Sequence, residues 1–130
     1  MLFILAGITI RIVGIIKFVL ISIWMSSYIY IIGSDNPPYK IGISKDPQKR
    51  LRNIQTGHPH KLKILELRET DSKRTKLLES VIHKHLDRFR MSGEWFDIPL
   101  EEAKLHVNFA LIRYEDDPLL EHLVKNKLIR

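Results

Sequence analysis

The stretch that decides the fold is Tyr28-Ile29-Tyr30-Ile31-Ile32, a connection over residues 33–38, then Tyr39-Lys40-Ile41-Gly42-Ile43. Both flanks are aromatic and β-branched, while the middle holds Gly33, Ser34, Asp35, Asn36, Pro37 and Pro38. Strand formers on either side of turn formers read as a β-hairpin with a long connection. Side chains alternate along a strand, so Tyr28, Tyr30 and Ile32 share one face and Ile29 and Ile31 the other. One face can pack on a core while the other presents phenols. The plain reading of such tyrosines is half-buried sheet decoration, and the segment that follows argues for more.

Working outward, Asp46-Pro47 reads as a helix start, with Asp at the N-cap and Pro at the first helical position. That helix is expected over 47–55 and to stop at Gly57 and Pro59. His58-Pro59-His60 is then a turn whose histidines read as solvated rather than as ligands. Leu62–Leu67 alternates as a third strand, with Leu65 and Leu67 on one face. Thr70-Asp71-Ser72 offers caps for a helix to about Phe89, with Leu78, Val81, Ile82, Leu86 and Phe89 as its apolar stripe. Met91-Ser92-Gly93 ends it, and Glu94–Ile98 is a short extended piece. Pro99-Leu100-Glu101-Glu102 opens a helix through about Arg113, its acidic residues well placed against the helix dipole. Asp116-Asp117-Pro118 caps a last short helix to about Lys127. The expected fold class is α+β: a small three-stranded antiparallel sheet flanked by helices, preceded by an apolar N-terminal helix. Residues 27–98 form the domain, and 99–130 a C-terminal helical extension that covers it or meets a partner.

A chain of 130 residues is about one domain with a single modest core. It has no cysteine, which rules out a disulfide framework and a thiolate zinc site and fits a reducing, intracellular setting. The net charge of +6 is unevenly spread: residues 1–39 carry +1, residues 40–90 carry +8 from 14 basic and 6 acidic side chains, and residues 91–130 carry −3. A basic central segment suits a phosphate-backbone partner. The acidic C-terminal part argues against direct DNA contact there.

Residues 1–25 are almost wholly apolar, with Arg11 and Lys17 as their charges. A helix of that length can cross a hydrocarbon core of about 30 Å. Each charge costs about 2.5–3.5 kcal/mol at mid-membrane, relieved in part for Lys17 if it snorkels. A secretory signal is disfavoured by the missing basic n-region and cleavage site. Two readings stay open: a membrane anchor, or an extension upstream of the functional protein.

Four pieces in order carry a family resemblance: the Tyr28-Ile29-Tyr30 strand, Tyr39-Lys40-Ile41-Gly42, the helix start Ser44-Lys45-Asp46-Pro47 leading to Arg50, and Gly93-Glu94-Trp95-Phe96. Together they resemble the GIY-YIG nuclease superfamily. More narrowly they resemble its phage-type DNA-binding branch, related to the meiotically up-regulated gene proteins. The resemblance covers about residues 27–98 and implies phosphodiester cleavage of DNA with Mg²⁺ or Mn²⁺. It implies that strand tyrosines and a helix arginine surround the phosphate, with a glutamate on a later helix holding the metal. On that alignment Tyr30 takes the first tyrosine position. Arg50, eight residues after Gly42, takes that of the phosphate-binding arginine, a role suited to a permanently charged, bidentate group. Glu79 is the metal carboxylate, and the branch pairs it with a histidine one turn on, here His83, which shares its helix face. Lys45, Lys49 and Arg52 become non-specific phosphate contacts. His85 is structural, beside Leu86 and Phe89.

One departure stands out. The superfamily's second motif places a tyrosine directly before its Ile-Gly or Val-Gly pair; here Lys40 stands there, as is usual in the branch, and Tyr39 is displaced by one residue. A shift of one turns a side chain to the opposite face, so Tyr39 reaches the phosphate only if a bulge re-aims it. Lys40 can serve as phosphate ligand, or as base if its surroundings depress its pKa. Trp95 and Phe96 read as an aromatic plug of the core, with the direction of Glu94 open. Three functional readings remain: a metal-dependent endonuclease, a DNA-binding module of the same fold without cleavage, and a membrane-tethered domain whose basic segment meets anionic lipid. No small-molecule cofactor signature, phosphate-cradling glycine loop or Ser/His/Asp arrangement is present.

Overall fold

The computed structural model of the protein describes residues 14–17, a helical turn, and residues 26–129. Strand β1 (Ser26–Gly33) lies between β2 (Tyr39–Ser44) and β3 (Lys63–Asp71), antiparallel to both. The hairpin register sets Tyr30 opposite Gly42, Ile31 opposite Ile41 and Gly33 opposite Tyr39. Helix α1 (Pro47–Gln55) follows β2, and helix α2 (Ser72–His85) follows β3 directly. As the sequence suggests, the Asp46 carboxylate caps α1 by accepting from the Lys49 N–H at 3.1 Å, and Pro47 occupies the first turn. Asp71 caps α2 in the same way through the Lys73 N–H at 3.0 Å.

The sheet is five-stranded rather than three-stranded, in the order β3-β1-β2-β5-β4. Helix α2 stops at His85 instead of running to Phe89, and a 3-10 turn over Asp87–Phe89 redirects the chain. Strands β4 (Arg90–Ser92) and β5 (Trp95–Phe96) then form a second hairpin around Gly93-Glu94. Gly93 has a φ of 56°, which the absence of a Cβ makes cheap and which tight hairpin turns require. Gly93, which after Met91 and Ser92 reads as a helix terminator, thus opens the Gly93-Glu94 hairpin turn, while Met91 and Ser92 belong to β4. β5 adds itself to the outer edge of β2, pairing Phe96 with Tyr39 and Trp95 with Lys40.

The alternation read from β1 holds. Ile29 and Ile31 enter the main core, while Tyr30 and Ile32 enter a smaller cluster on the opposite face. Helix α2 covers the first face with Leu78, Val81 and Ile82, joined by Leu86 at its C-cap, all fully buried. Helix α1 covers the second with Leu51 and Ile54. In β3 the register shifts opposite Ile31 and Ile32, which breaks strict alternation. Leu65 therefore packs on the main core, whereas Leu67, opposite Tyr30, remains 41% exposed. The two leucines do not share a face.

Helices α3 (Leu100–Tyr114) and α4 (Leu120–Lys125) complete the main core through Ala103, Val107, Ala110, Leu111, Tyr114 and Leu120. Arg74 of α2 fixes this layer by donating from Nη2 to the carbonyls of Tyr114 (3.0 Å) and Asp117 (2.5 Å), a cation on the C-terminal end of α3. The chain beyond residue 98 shares the core of the sheet. Among the described residues no helix is long and apolar enough to cross a membrane. The expected anchor over 1–25 falls, except for 14–17, outside the described residues.

The aromatic pair of β5 divides between the faces. Phe96 is wholly buried in the main core, while Trp95 is partly buried against the Tyr30 cluster. Removing a fully buried phenyl group costs about 3–5 kcal/mol. Phe96→Ala is expected to lose that much in urea unfolding, and Trp95→Ala clearly less. Equal losses would show that both rings plug one core.

Candidate functional site

The site forms where β2 is only half covered. β5 pairs with it at Tyr39 and Lys40 and then stops. The next residue, Ile41, points its N–H and C=O toward that side. Its N–H donates to the Glu94 carbonyl at 3.1 Å, and its C=O accepts from His83 Nε2 at 2.7 Å. A carbonyl can only accept, so Nε2 carries the proton and Nδ1 is the ring atom left to accept one. His83 thus reaches from α2 to the strand edge, held also by the Phe96 ring with centroids 5.3 Å apart. Glu79, one turn earlier on the same helix face, lies beside it.

On the opposite face of β2, Gly42 lies under the Tyr30 ring. A Cβ at Gly42 would sit 2.6 Å from the Tyr30 hydroxyl oxygen and 3.0 Å from Glu94 Oε2. The missing side chain gives the phenol its place. Lys40, next to Gly42 on the same strand face, forms an ion pair with Glu94, Nζ to Oε2 3.1 Å. Lys40 Nζ also lies 5.8 Å from the centre of the Trp95 ring. Arg50, on the exposed side of α1, is close enough to act on the Tyr30 hydroxyl electrostatically.

Two buried polar atoms here have no partner: the Tyr30 hydroxyl and Glu79 Oε2. Burial pushes the Tyr30 phenol up to about 12; Arg50 pulls it down, and Glu94 and Glu79 push it further up. At neutral pH it is a neutral donor. Burial likewise raises the Glu79 carboxyl, opposed first by His83, then reinforced by Glu94 and opposed by Lys76 and Lys40. Unpaired polar atoms are costly inside a fold, and two of them beside charged groups single this edge out as a candidate site.

Of the residues singled out in the sequence, Tyr30, Lys40, Arg50, Glu79 and His83 converge on this edge. Tyr39 does not. It is buried in the main core, opposite Gly33, on the face away from Tyr30. No bulge interrupts β1–β2 pairing, so the one-residue displacement is not corrected. Lys45, Lys49 and Arg52 are exposed on and before α1. His85 faces His106 and Phe109, with ring centroids 6.4 and 6.3 Å away. That pair lines a separate cavity of about 610 Å³ with Lys84, Arg88, Leu105 and Ile129, sharing no residue with the site. Trp95 and Glu94 are the site residues the sequence did not place. The signal for them is Gly93, whose turn with Glu94 brings both back onto Lys40.

A hard divalent cation takes carboxylate oxygens, waters and phosphate oxygens. Among the described residues no group of three or more His, Cys, Asp or Glu is assembled to hold a metal. The unpartnered Glu79 Oε2 fits a site of one carboxylate completed by water and substrate, and no more elaborate one.

The model of the T5orf172 domain family matches residues 27–111 of the chain. No curated protein and no solved structure matches it. The match corrects the assignment to the GIY-YIG nuclease superfamily: the family found is the T5orf172 domain, and it extends through most of α3 rather than ending near residue 98.

The raised Glu79 carboxyl has a consequence for stability. The folded state holds the Glu79 proton more tightly than the unfolded chain, so stability is full below the ordinary value of 4.5 and falls as pH rises through the raised value. Glu79→Gln removes the charge and keeps the shape. The variant is expected to gain on the parent in melting temperature as the pH rises from below 4.5 to 7. A melting-temperature gap between the two that does not change with pH would contradict this.

Proposed function

This chain belongs to the T5orf172 domain family, and we propose that it binds DNA and hydrolyses a phosphodiester bond at the half-covered edge of β2. The observation that carries the reading is the pair of buried, unpartnered atoms, Tyr30 Oη and Glu79 Oε2, beside Lys40, Arg50 and His83. A DNA partner is consistent with the family and with the +8 charge of residues 40–90.

Arg50 and Lys40 neutralise the scissile phosphate, Arg50 with a bidentate fork and Lys40 after exchanging Glu94 for a phosphate oxygen. The Tyr30 hydroxyl, neutral and without a partner, donates a hydrogen bond to a phosphate oxygen, where it meets growing negative charge. His83, its Nε2 committed to the Ile41 carbonyl, accepts the proton of the attacking water at Nδ1. Glu79 holds Mg²⁺ or Mn²⁺, which when bound supplies a Lewis acid for the phosphate and the departing oxygen. Lys45, Lys49 and Arg52 hold the flanking backbone without reading sequence. The same surface without cleavage is the second reading, favoured by the placement of Tyr39 away from the site.

The test is nicking of supercoiled plasmid by the full chain with Mg²⁺ or Mn²⁺. Cleavage that is lost on chelation and falls at least about a hundredfold in Glu79→Ala and Arg50→Ala is expected, the scale of removing one preorganised transition-state contact. DNA binding that weakens with salt, with no nicking by any variant, would leave the binding module. Cleavage that persists in Glu79→Ala would remove Glu79 from the mechanism.

A further inference from the structure

Next to the site, the turns over residues 34–38 and 58–62 enclose a cleft of about 380 Å³ lined by residues that include Asp35, Asn36, Pro37, His58, His60 and Lys61. The volume falls in the range of about 300–1,000 Å³ that small-ligand clefts occupy. The cleft is held in shape. The Gln55 amide donates to the His60 carbonyl at 2.9 Å and accepts from the Leu62 N–H at 2.7 Å, tying the turn to the end of α1. The His60 N–H donates to His58 Nδ1 at 3.1 Å. The His58 ring stacks on Trp95, centroids 5.5 Å apart and planes 19° from parallel, and the His60 ring lies 5.9 Å from it. Lys40, Trp95, His58 and His60 therefore form a continuous cationic and aromatic run from the phosphate-binding edge into the cleft.

We propose that this cleft is a subsite for one unpaired nucleobase of the DNA strand whose phosphate lies at Lys40 and Arg50. This rests on the phosphate site proposed above and names what that site prefers: single-stranded or locally unpaired DNA over duplex. Aromatic rings accept any base through its π-face, and a run of them beside cations is how single strands are held. A duplex base is stacked on its neighbours and enters such a cleft only when unstacked. Asn36 offers both a donor and an acceptor to a base edge, and Lys61 a cation to the next phosphate. His60 is exposed, so its ring is available to stack.

The experiment is a titration of the full chain into a fluorescently labelled single-stranded oligonucleotide and into the same sequence as duplex, without added metal. The single strand is expected to bind more tightly. His60→Ala is expected to weaken single-strand binding about five- to tenfold, on the scale of one lost stacking contact, and to leave duplex binding unchanged. His60→Phe should restore it, since stacking needs the ring and not the imidazole. Equal affinity for the two forms, or a His60→Ala loss that is equal for both or absent, would overturn the subsite. Arg50→Ala separates the layers: loss of both ligands in that variant keeps the phosphate site standing even where the subsite fails. A parent chain that binds neither form would overturn the phosphate site as well.

Discussion

The phenol of Tyr30 lies against a residue that has no side chain, and much of the site follows from that. Its position opposite Gly42 is fixed by the β1–β2 register. A methyl group at 42 would come within 2.6 Å of the hydroxyl oxygen. Because the ring fits there it is buried, and because it is buried without a partner its proton is held to about pH 12. The hydroxyl remains a donor waiting for an acceptor, beside the Lys40–Glu94 pair. A folded protein rarely leaves such a group unanswered unless a ligand answers it.

Two layers that seldom meet do so at this edge. Helix α1 lies on one face of the sheet and α2 on the other, so Arg50 and Glu79 would ordinarily be separated by a strand. β5 covers β2 only at Tyr39 and Lys40, and the bare edge beyond lets His83 reach the Ile41 carbonyl from the far side. Charged groups from both faces are then close enough to act on one another. The charge on the half-buried Glu79 carboxyl works against stability in this arrangement, because burial disfavours its ionised form.

Local chemistry made much of this legible in the sequence. Asp46-Pro47 specifies the start of α1, and strand alternation specifies which of Ile29, Tyr30 and Ile31 faces which side, because both depend on neighbours a few residues away. The i, i+4 spacing of Glu79 and His83 was equally plain. What was not legible depended on distant pairing. Met91-Ser92-Gly93 reads as a helix end because nothing local reveals that β2 has a free edge for β5 to join. Trp95 and Phe96 looked like one plug because a strand of two residues carries no visible periodicity, yet it sends them to opposite faces. The bulge opposite Ile31 and Ile32, which separates Leu65 from Leu67, has no marker in either strand. Four short motifs in order resemble the GIY-YIG superfamily but do not decide between families, whereas a match over residues 27–111 places the chain in the T5orf172 domain family.

The most direct test of the edge of β2 as the DNA site is a map of backbone amide shifts in the full chain as a short oligonucleotide is added. Shifts concentrated at Lys40–Ser44, at Lys49 and Arg50, and at Glu79 and His83 are expected, because these residues form or flank that edge. Shifts confined instead to Lys84, Arg88, His106 and Phe109, around the separate cavity, would contradict it and move the DNA to the other side of the protein.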